Sequence, residues 1–332
     1  MNKDILTKTV ARLLLSSKGI LAIDESLNTC NKRFEKLGIP TSEEKRREYR
    51  ELLITAPEIE KYISGYILFD ETIKQNTKDD RSFISVLQSK GIEIGIKVDT
   101  GTSSFSLNFL EKITEGLDGL KERLIEYAKL GAKFAKWRAV ITIGQNIPTD
   151  HCIEANAEAL AKYAFLCQEQ DIVPMVEPEV LMDADNTIQI CKDATNRTLK
   201  ALFAKLAEHN VPLEGLILKT NMVISGKKCP VQASAQEVAH ETVETFLNVV
   251  PKELPGIVFL SGGQTPDQAT ENLAEINKIA GSPWQLSFSY GRALQDEALM
   301  AWGGKDENVE AGQKAFIERV KKVSEARSQP PS

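Results

Sequence analysis

Short, mostly apolar runs recur along the chain at residues 19–23, 65–69, 92–98, 134–140, 172–176, 215–218, 256–260 and 284–288. Each is too short for a helix and is apolar nearly throughout, the pattern of strands buried on both faces. The segments between them carry helical spacing and helix-end signals. TSEE at 41–44 and TPDQ at 265–268 read as capping boxes, the second with Pro at the first helical position. Ala269, Leu273, Ile276 and Ala280 then fall on one helical face, as do Ile153, Ala157, Leu160 and Ala164. Gly91 and Gly131 stand where helix C-caps belong.

Eight strands alternating with helices predict parallel pairing, and eight is the closed-barrel number, so the expected fold is α/β, a single (β/α)8 TIM barrel over residues 1–332. A doubly wound open sheet is the weaker alternative, because no run is followed by GxGxxG. The polar, Pro-containing stretch 324–332 is expected to be a frayed tail.

Composition narrows the function. A length of 332 residues with 42% hydrophobic content suffices for a large core without staples. The net charge of −6 and the lack of a long basic run argue against nucleic acid or an anionic membrane as partner. Five widely spaced cysteines without CxxC read as reduced thiols in a cytoplasmic protein, and neither a signal peptide nor a membrane span is predicted. The three histidines, His151, His209 and His240, lie far apart in sequence, so no metal or other cofactor is expected.

Barrel chemistry gathers at strand C-termini. Following the runs, one meets Asp24-Glu25-Ser26, Asp70-Glu71-Thr72, Lys97 and Asp99, Lys136 and Arg138, Glu177-Pro178-Glu179, Lys219-Thr220-Asn221, Ser261-Gly262-Gly263, and Tyr290-Gly291-Arg292. A lysine inside a dry mouth, beside a second cation, is favoured as a neutral amine, which attacks carbonyls to give a Schiff base. Lys219 ends the apolar run Leu216-Ile217-Leu218 and is the candidate, with Lys136 the neighbouring cation. Read singly, each is equally a strand-end or ion-pairing lysine. Glu177 and Glu179, two apart on a strand, share a face and suit proton transfer or ion pairing. Asp24 reads as a general base or as a cap. The Ser261-Gly262-Gly263 turn before a capped helix, with Arg292 at the next strand end, suits a phosphate monoester. Lys97, and Lys32-Arg33 in the first loop, suit a second phosphate, and Arg138 joins the substrate-facing set.

Motifs in order along nearly the whole chain resemble class I (Schiff-base) fructose-bisphosphate aldolase. They are KGILAIDES at 18–26, GIKVD at 95–99, FAKWR at 134–138, VPMVEPE at 173–179, LEGLILKTN at 213–221, FLSGGQ at 259–264, FSYGRALQ at 288–295 and AWGGK at 301–305. The resemblance implies a lyase that cleaves fructose 1,6-bisphosphate into dihydroxyacetone phosphate and glyceraldehyde 3-phosphate, without metal, as a homotetramer. It implies that Lys219 forms the imine, Glu177 moves protons and Lys136 supports it electrostatically. It also implies that Asp24 deprotonates the C4 hydroxyl and that Glu179 pairs with and positions the lysines. Ser261, Gly262 and Arg292 would then grip the phosphate near the imine, and Ser26, Arg33 and Lys97 the distal one.

The chain departs from the family pattern at several places. Thr220 replaces the usual proline, SLNT at 26–29 replaces Ser-Thr-Gly-Ser while keeping a hydroxyl at Thr29, and 100–111 diverges. The family's C-terminal tyrosine has no counterpart at 329–332, so another group or water is expected to exchange the enamine proton. Two other readings stand beside this one: a Schiff-base barrel acting mainly on another sugar phosphate such as sedoheptulose 1,7-bisphosphate, and a non-catalytic scaffold.

Overall fold

A computed structural model describes residues 1–105, 110–279 and 281–328. Among the described residues ten strands follow in chain order: β1 (Gly19–Ile23), β2 (Ile63–Leu68), β3 (Glu93–Lys97), β4 (Gly101–Ser104), β5 (Lys112–Glu115), β6 (Phe134–Ile141), β7 (Val173–Val180), β8 (Ile217–Thr220), β9 (Gly256–Phe259) and β10 (Gln285–Tyr290). Eight of them, all but β4 and β5, pair in parallel and close into one barrel, β1 joining both β2 and β10. The expected fold is therefore the observed one.

Two strands reach further than their apolar runs suggest. β7 continues through Glu177, Pro178 and Glu179, and β8 begins after a short 3-10 turn and carries Lys219 within it. Both extensions are buried along their length. Polar residues there do not end the strands because the polar side chains face the barrel axis.

Alternation along each strand explains the interior. The lower inward positions are apolar: Ile20 and Ala22 on β1, Ile67 on β2, Phe134 on β6, Val173 and Met175 on β7, Ile217 on β8 and Val258 on β9 form one buried cluster. One step higher the same rows turn charged, giving Asp24, Lys136, Glu177 and Lys219. The helix Lys3–Leu13 closes the lower end, with Leu6, Val10, Leu13 and Leu14 joining the inner cluster. The outer faces of the strands and the surrounding helices form a second, larger apolar layer.

Glycines admit the bulky inner residues. A Cβ on Gly95 would lie 2.3 Å from the Phe134 ring, and one on Gly65 2.6 Å from Leu13.

Local signals hold in part. Thr265 caps its helix with a full capping box, Gly131 ends Leu120–Leu130 at φ 113°, and Gly91 takes φ 67° just beyond Phe83–Ser89. The cap of Glu43–Ile54 is Ser42 rather than Thr41, its hydroxyl accepting from the Lys45 N–H at 3.2 Å. Ala280 lies outside the described residues, as do 106–109 and 329–332.

The tail expectation is corrected for 324–327. These residues belong to the helix Val309–Arg327, and Ser324 and Arg327 are buried. Arg327 donates to the carbonyls of Leu286 at 3.1 Å and Leu14 at 2.9 Å, and also to those of Leu15 and Lys18. A cation there meets free carbonyls at the end of the N-terminal helix. The five cysteines are buried and free, and among the described residues no helix is long and apolar enough to cross a membrane.

The antiparallel hairpin β4–β5 follows β3 and was not visible in the apolar pattern. Thr114 on it donates to the Arg138 carbonyl at 2.8 Å, which fastens it beside the barrel mouth.

Gly95→Ala is expected to destabilise the fold by about 1–3 kcal/mol through overpacking against Phe134. The cost should shrink in a Phe134→Leu background, because the two residues share one space. Urea-unfolding midpoints of the four variants measure this.

Candidate active site

Four charged side chains from four strand ends meet inside the mouth. Lys136 Nζ lies 2.6 Å from Asp24 Oδ2 and 3.3 Å from Glu177 Oε2, and Lys219 Nζ lies 3.2 Å from Glu177 Oε1. The first two contacts are ion pairs off the line of a good hydrogen bond. All four residues are less than 10% exposed. The sequence separations collapse because all four residues point inward near the C-terminal ends of their strands; on the β6–β7 ladder Lys136 pairs with Met175 and Arg138 with Glu177, so Lys136 lies one inward step below Glu177 and within reach of it.

Electrostatics follow from this packing. Burial disfavours the Asp24 carboxylate, but Lys136, Lys219 and Lys97 outweigh it and hold the carboxyl down at about 2. Glu177 behaves likewise: burial pushes its pKa up, and Lys136, Lys219 and Arg138 bring it below the ordinary value. For Lys136, burial works against the ammonium, and Asp24 and Glu177 override it, so its pKa is raised. Lys136 is therefore a fixed cation shared by two ionised carboxylates.

Two adjoining cavities open from this cluster. One, of about 920 Å³, is lined by Ser26, Thr29, Lys97, Asp99 and the hairpin residues Gly101 and Thr102. The other, of about 420 Å³, is lined by Lys219, Glu177, Ser261, Gly262, Arg33 and Arg292. Asp24, Lys136 and Arg138 line both.

The remaining expected residues sit as follows. Gly262 and Gly263 take φ of 57° and 89°, the left-handed turn that only glycine makes without strain, directly before the helix Pro266–Lys278. Among the described residues their N–H groups have no acceptor, and Arg292 has no ion pair. Lys97 is turned along the wall, its Nζ 2.6 Å from both the carboxylate and the carbonyl of Asp99. Ser26, not Asp24, caps the helix Leu27–Glu35, accepting from the Thr29 N–H at 3.4 Å, and its hydroxyl also meets that of Thr29 at 3.1 Å. Thr220, fully buried, donates to the Pro178 carbonyl at 3.4 Å.

One expectation is corrected. Glu179 pairs with Arg138 rather than with a lysine. It stands one inward step above Glu177, and the β6 residue one step above Lys136 is Arg138. Of the residues expected at the distal phosphate, Lys97 and Ser26 line the larger cavity and Arg33 the smaller one adjoining it. Arg33 is held by Glu25 at 2.5 Å, by Gln295 at 2.9 Å and by Asp296 at 2.9 Å.

The sequence alone missed the role of Glu25, which joins Arg33 to the buried Arg50 at 2.9 Å; its place beside Asp24 was the available signal. None of the three histidines lines either cavity, and His151 packs edge-on against Phe105. His209 meets Glu158 at 3.0 Å, and exposed His240 stands with Glu241 and Glu244, whose carboxylates already hold Lys192.

Comparison with known proteins adds the following. Residues 5–329 match the family described as fructose-bisphosphate aldolase class-I. A relative named probable fructose-bisphosphate aldolase class 1, from Xanthomonas campestris, is 55% identical over 97% of this chain and 96% of its own. The cytosolic fructose-bisphosphate aldolase 4 of Arabidopsis thaliana is 48% identical over 93% of this chain and 79% of its own. A solved fructose-bisphosphate aldolase of Plasmodium falciparum, in complex with TRAP and a small-molecule inhibitor, superposes with a TM-score of 0.96 at 43% identity, covering 98% of this chain and 94% of that one.

The Asp24 carboxyl is lower in the folded state than its ordinary 3.8. Its contribution to stability is thus complete above the unfolded value and is lost as pH falls toward about 2. The stability difference between wild type and Asp24→Asn should narrow as pH drops from about 5 to about 3, as read by urea midpoints at each pH.

Proposed function

The chain belongs to the class-I fructose-bisphosphate aldolase family and cleaves fructose 1,6-bisphosphate reversibly into dihydroxyacetone phosphate and glyceraldehyde 3-phosphate, and we propose that Lys219 is the amine that forms the Schiff base. The observation that carries this reading is the buried alternation of charge Lys219–Glu177–Lys136–Asp24. Glu177 is the nearest proton acceptor to the Lys219 ammonium and, being ionised, is competent to take that proton. The neutral amine adds to the C2 carbonyl, Glu177 returns its proton to the oxygen to give the carbinolamine, and a second proton, passed from the nitrogen to that hydroxyl through Glu177, lets it leave as water.

The resulting iminium is the electron sink. Asp24, ionised on the far side of Lys136, accepts the C4 hydroxyl proton; the C3–C4 bond breaks, its electron pair moves to form the enamine, and the aldehyde departs. Lys136 keeps both carboxylates ionised in the resting site, so that each is free to accept a proton in its turn. Protonation of the enamine and hydrolysis of the imine regenerate the amine. The Ser261–Gly263 turn and Arg292 offer uncommitted donors to the phosphate near the imine, and the larger cavity with Lys97 suits the distal phosphate.

We also propose residues 1–332 as a single domain, a homotetramer as the assembly and the cytoplasm as the compartment. The resemblance supports the assembly, and the cytosolic Arabidopsis relative supports the compartment. Light scattering tests the assembly.

Borohydride reduction in the presence of dihydroxyacetone phosphate should leave a stable adduct on Lys219, located by peptide mass spectrometry, and none in Lys219→Met. An adduct on another lysine would falsify the assignment. Glu177→Gln should lower kcat about 10²–10⁴-fold, the range for loss of a positioned acid–base group, in steady-state assays with fructose 1,6-bisphosphate.

A further inference from the structure

Beside the glycine turn stands a cation that none of the sequence motifs marks. Lys227 lies in the segment after β8, and its backbone is fixed there. Gly226, Lys227 and Lys228 donate to the carbonyls of Asn186 at 2.8 Å, Met182 at 2.7 Å and Ala184 at 3.0 Å, which ties this segment to the loop following β7. Gly226 is required for that approach, since a Cβ there would lie 2.3 Å from the Ala184 carbonyl oxygen. The side chain is thereby aimed at the turn. A Cβ on Gly263 would fall 2.5 Å from Lys227 Nζ and 3.7 Å from Arg292 Nη2, so both cations converge on this one glycine.

Their charge is unbalanced. The described counter-ion of Lys227 is Asp183 at 3.1 Å, and Asp183 is 67% exposed. Arg292 has none among the described residues, and the N–H groups of Gly262 and Gly263 donate to no described acceptor. Two cations and two free backbone donors around one left-handed turn make a receptor for a dianion.

We propose that Lys227 is a further phosphate-binding residue, which closes over the imine-side phosphate of the sugar together with Arg292. This rests on the assignment of the Ser261–Gly263 turn to that phosphate. On binding, Lys227 exchanges Asp183 for the phosphate, so Asp183 competes with the substrate for the same ammonium.

The test uses steady-state kinetics of the full-length enzyme. Fructose 1,6-bisphosphate and fructose 1-phosphate both carry the imine-side phosphate, and only the first carries the distal one. Lys227→Met is expected to raise KM for both by about fivefold with kcat little changed, and to weaken inhibition by inorganic phosphate similarly, the scale of a partly exposed charge pair. Lys227→Arg should retain most of the affinity, and Asp183→Asn should lower KM. An unchanged KM in Lys227→Met would overturn the proposal, as would a rise confined to fructose 1,6-bisphosphate. Borohydride trapping at saturating dihydroxyacetone phosphate keeps the two readings apart: loss of the Lys219 adduct in wild type defeats the Schiff-base assignment, whereas a normal adduct with an unmoved KM in Lys227→Met defeats only the role of Lys227.

Discussion

A buried, alternating row of two cations and two anions is the constraint around which the barrel mouth is arranged. Removing four charges from water is costly, and the cost is offset only when each charge has an opposite neighbour at contact distance. Asp24, Lys136, Glu177 and Lys219 satisfy this in sequence, each interior member touching the next. The arrangement depends on the apolar layer below, which keeps the interior dry, and on strand register, which brings the four side chains within reach of one another. Moving one strand by a single residue would turn its charge outward and leave its partner unpaired in the core.

The same row divides the labour of the site. Lys136 is pinned between two carboxylates and cannot easily give up its proton, which suits a fixed electrostatic post. Lys219 touches only one of them and stands at the end of the row, facing the smaller cavity. Two lysines of identical chemistry thus sit in different settings, one enclosed by carboxylates on two sides and the other on one.

Much of this was legible in the chain. Runs of four to seven mostly apolar residues marked all eight barrel strands, and the two-residue spacing of Lys136 with Arg138 and of Glu177 with Glu179 placed each pair on one face. What single-strand spacing does not contain is the stagger between neighbouring strands. For that reason Glu179 was expected against lysines and meets Arg138 instead. The hairpin β4–β5 escaped notice because its Thr- and Ser-rich strands face solvent on much of their surface and carry no apolar run. Lys227 lay in a Gly-Lys-Lys stretch that reads as an ordinary polar turn; only the loop packed against it shows where its ammonium points.

The bonds from Arg327 to the carbonyls of Leu14 and Lys18 have a consequence for how the chain comes to be folded. They join residues separated by 313 and 309 positions. A ribosome delivers the helix that plugs the barrel floor 313 positions before the guanidinium that fastens it. Until then, the plug and the unpaired edges of an unclosed sheet have no final partners, at a synthesis rate of roughly 5–20 residues per second. Contacts of such sequence separation make closure of the barrel a late event in its synthesis.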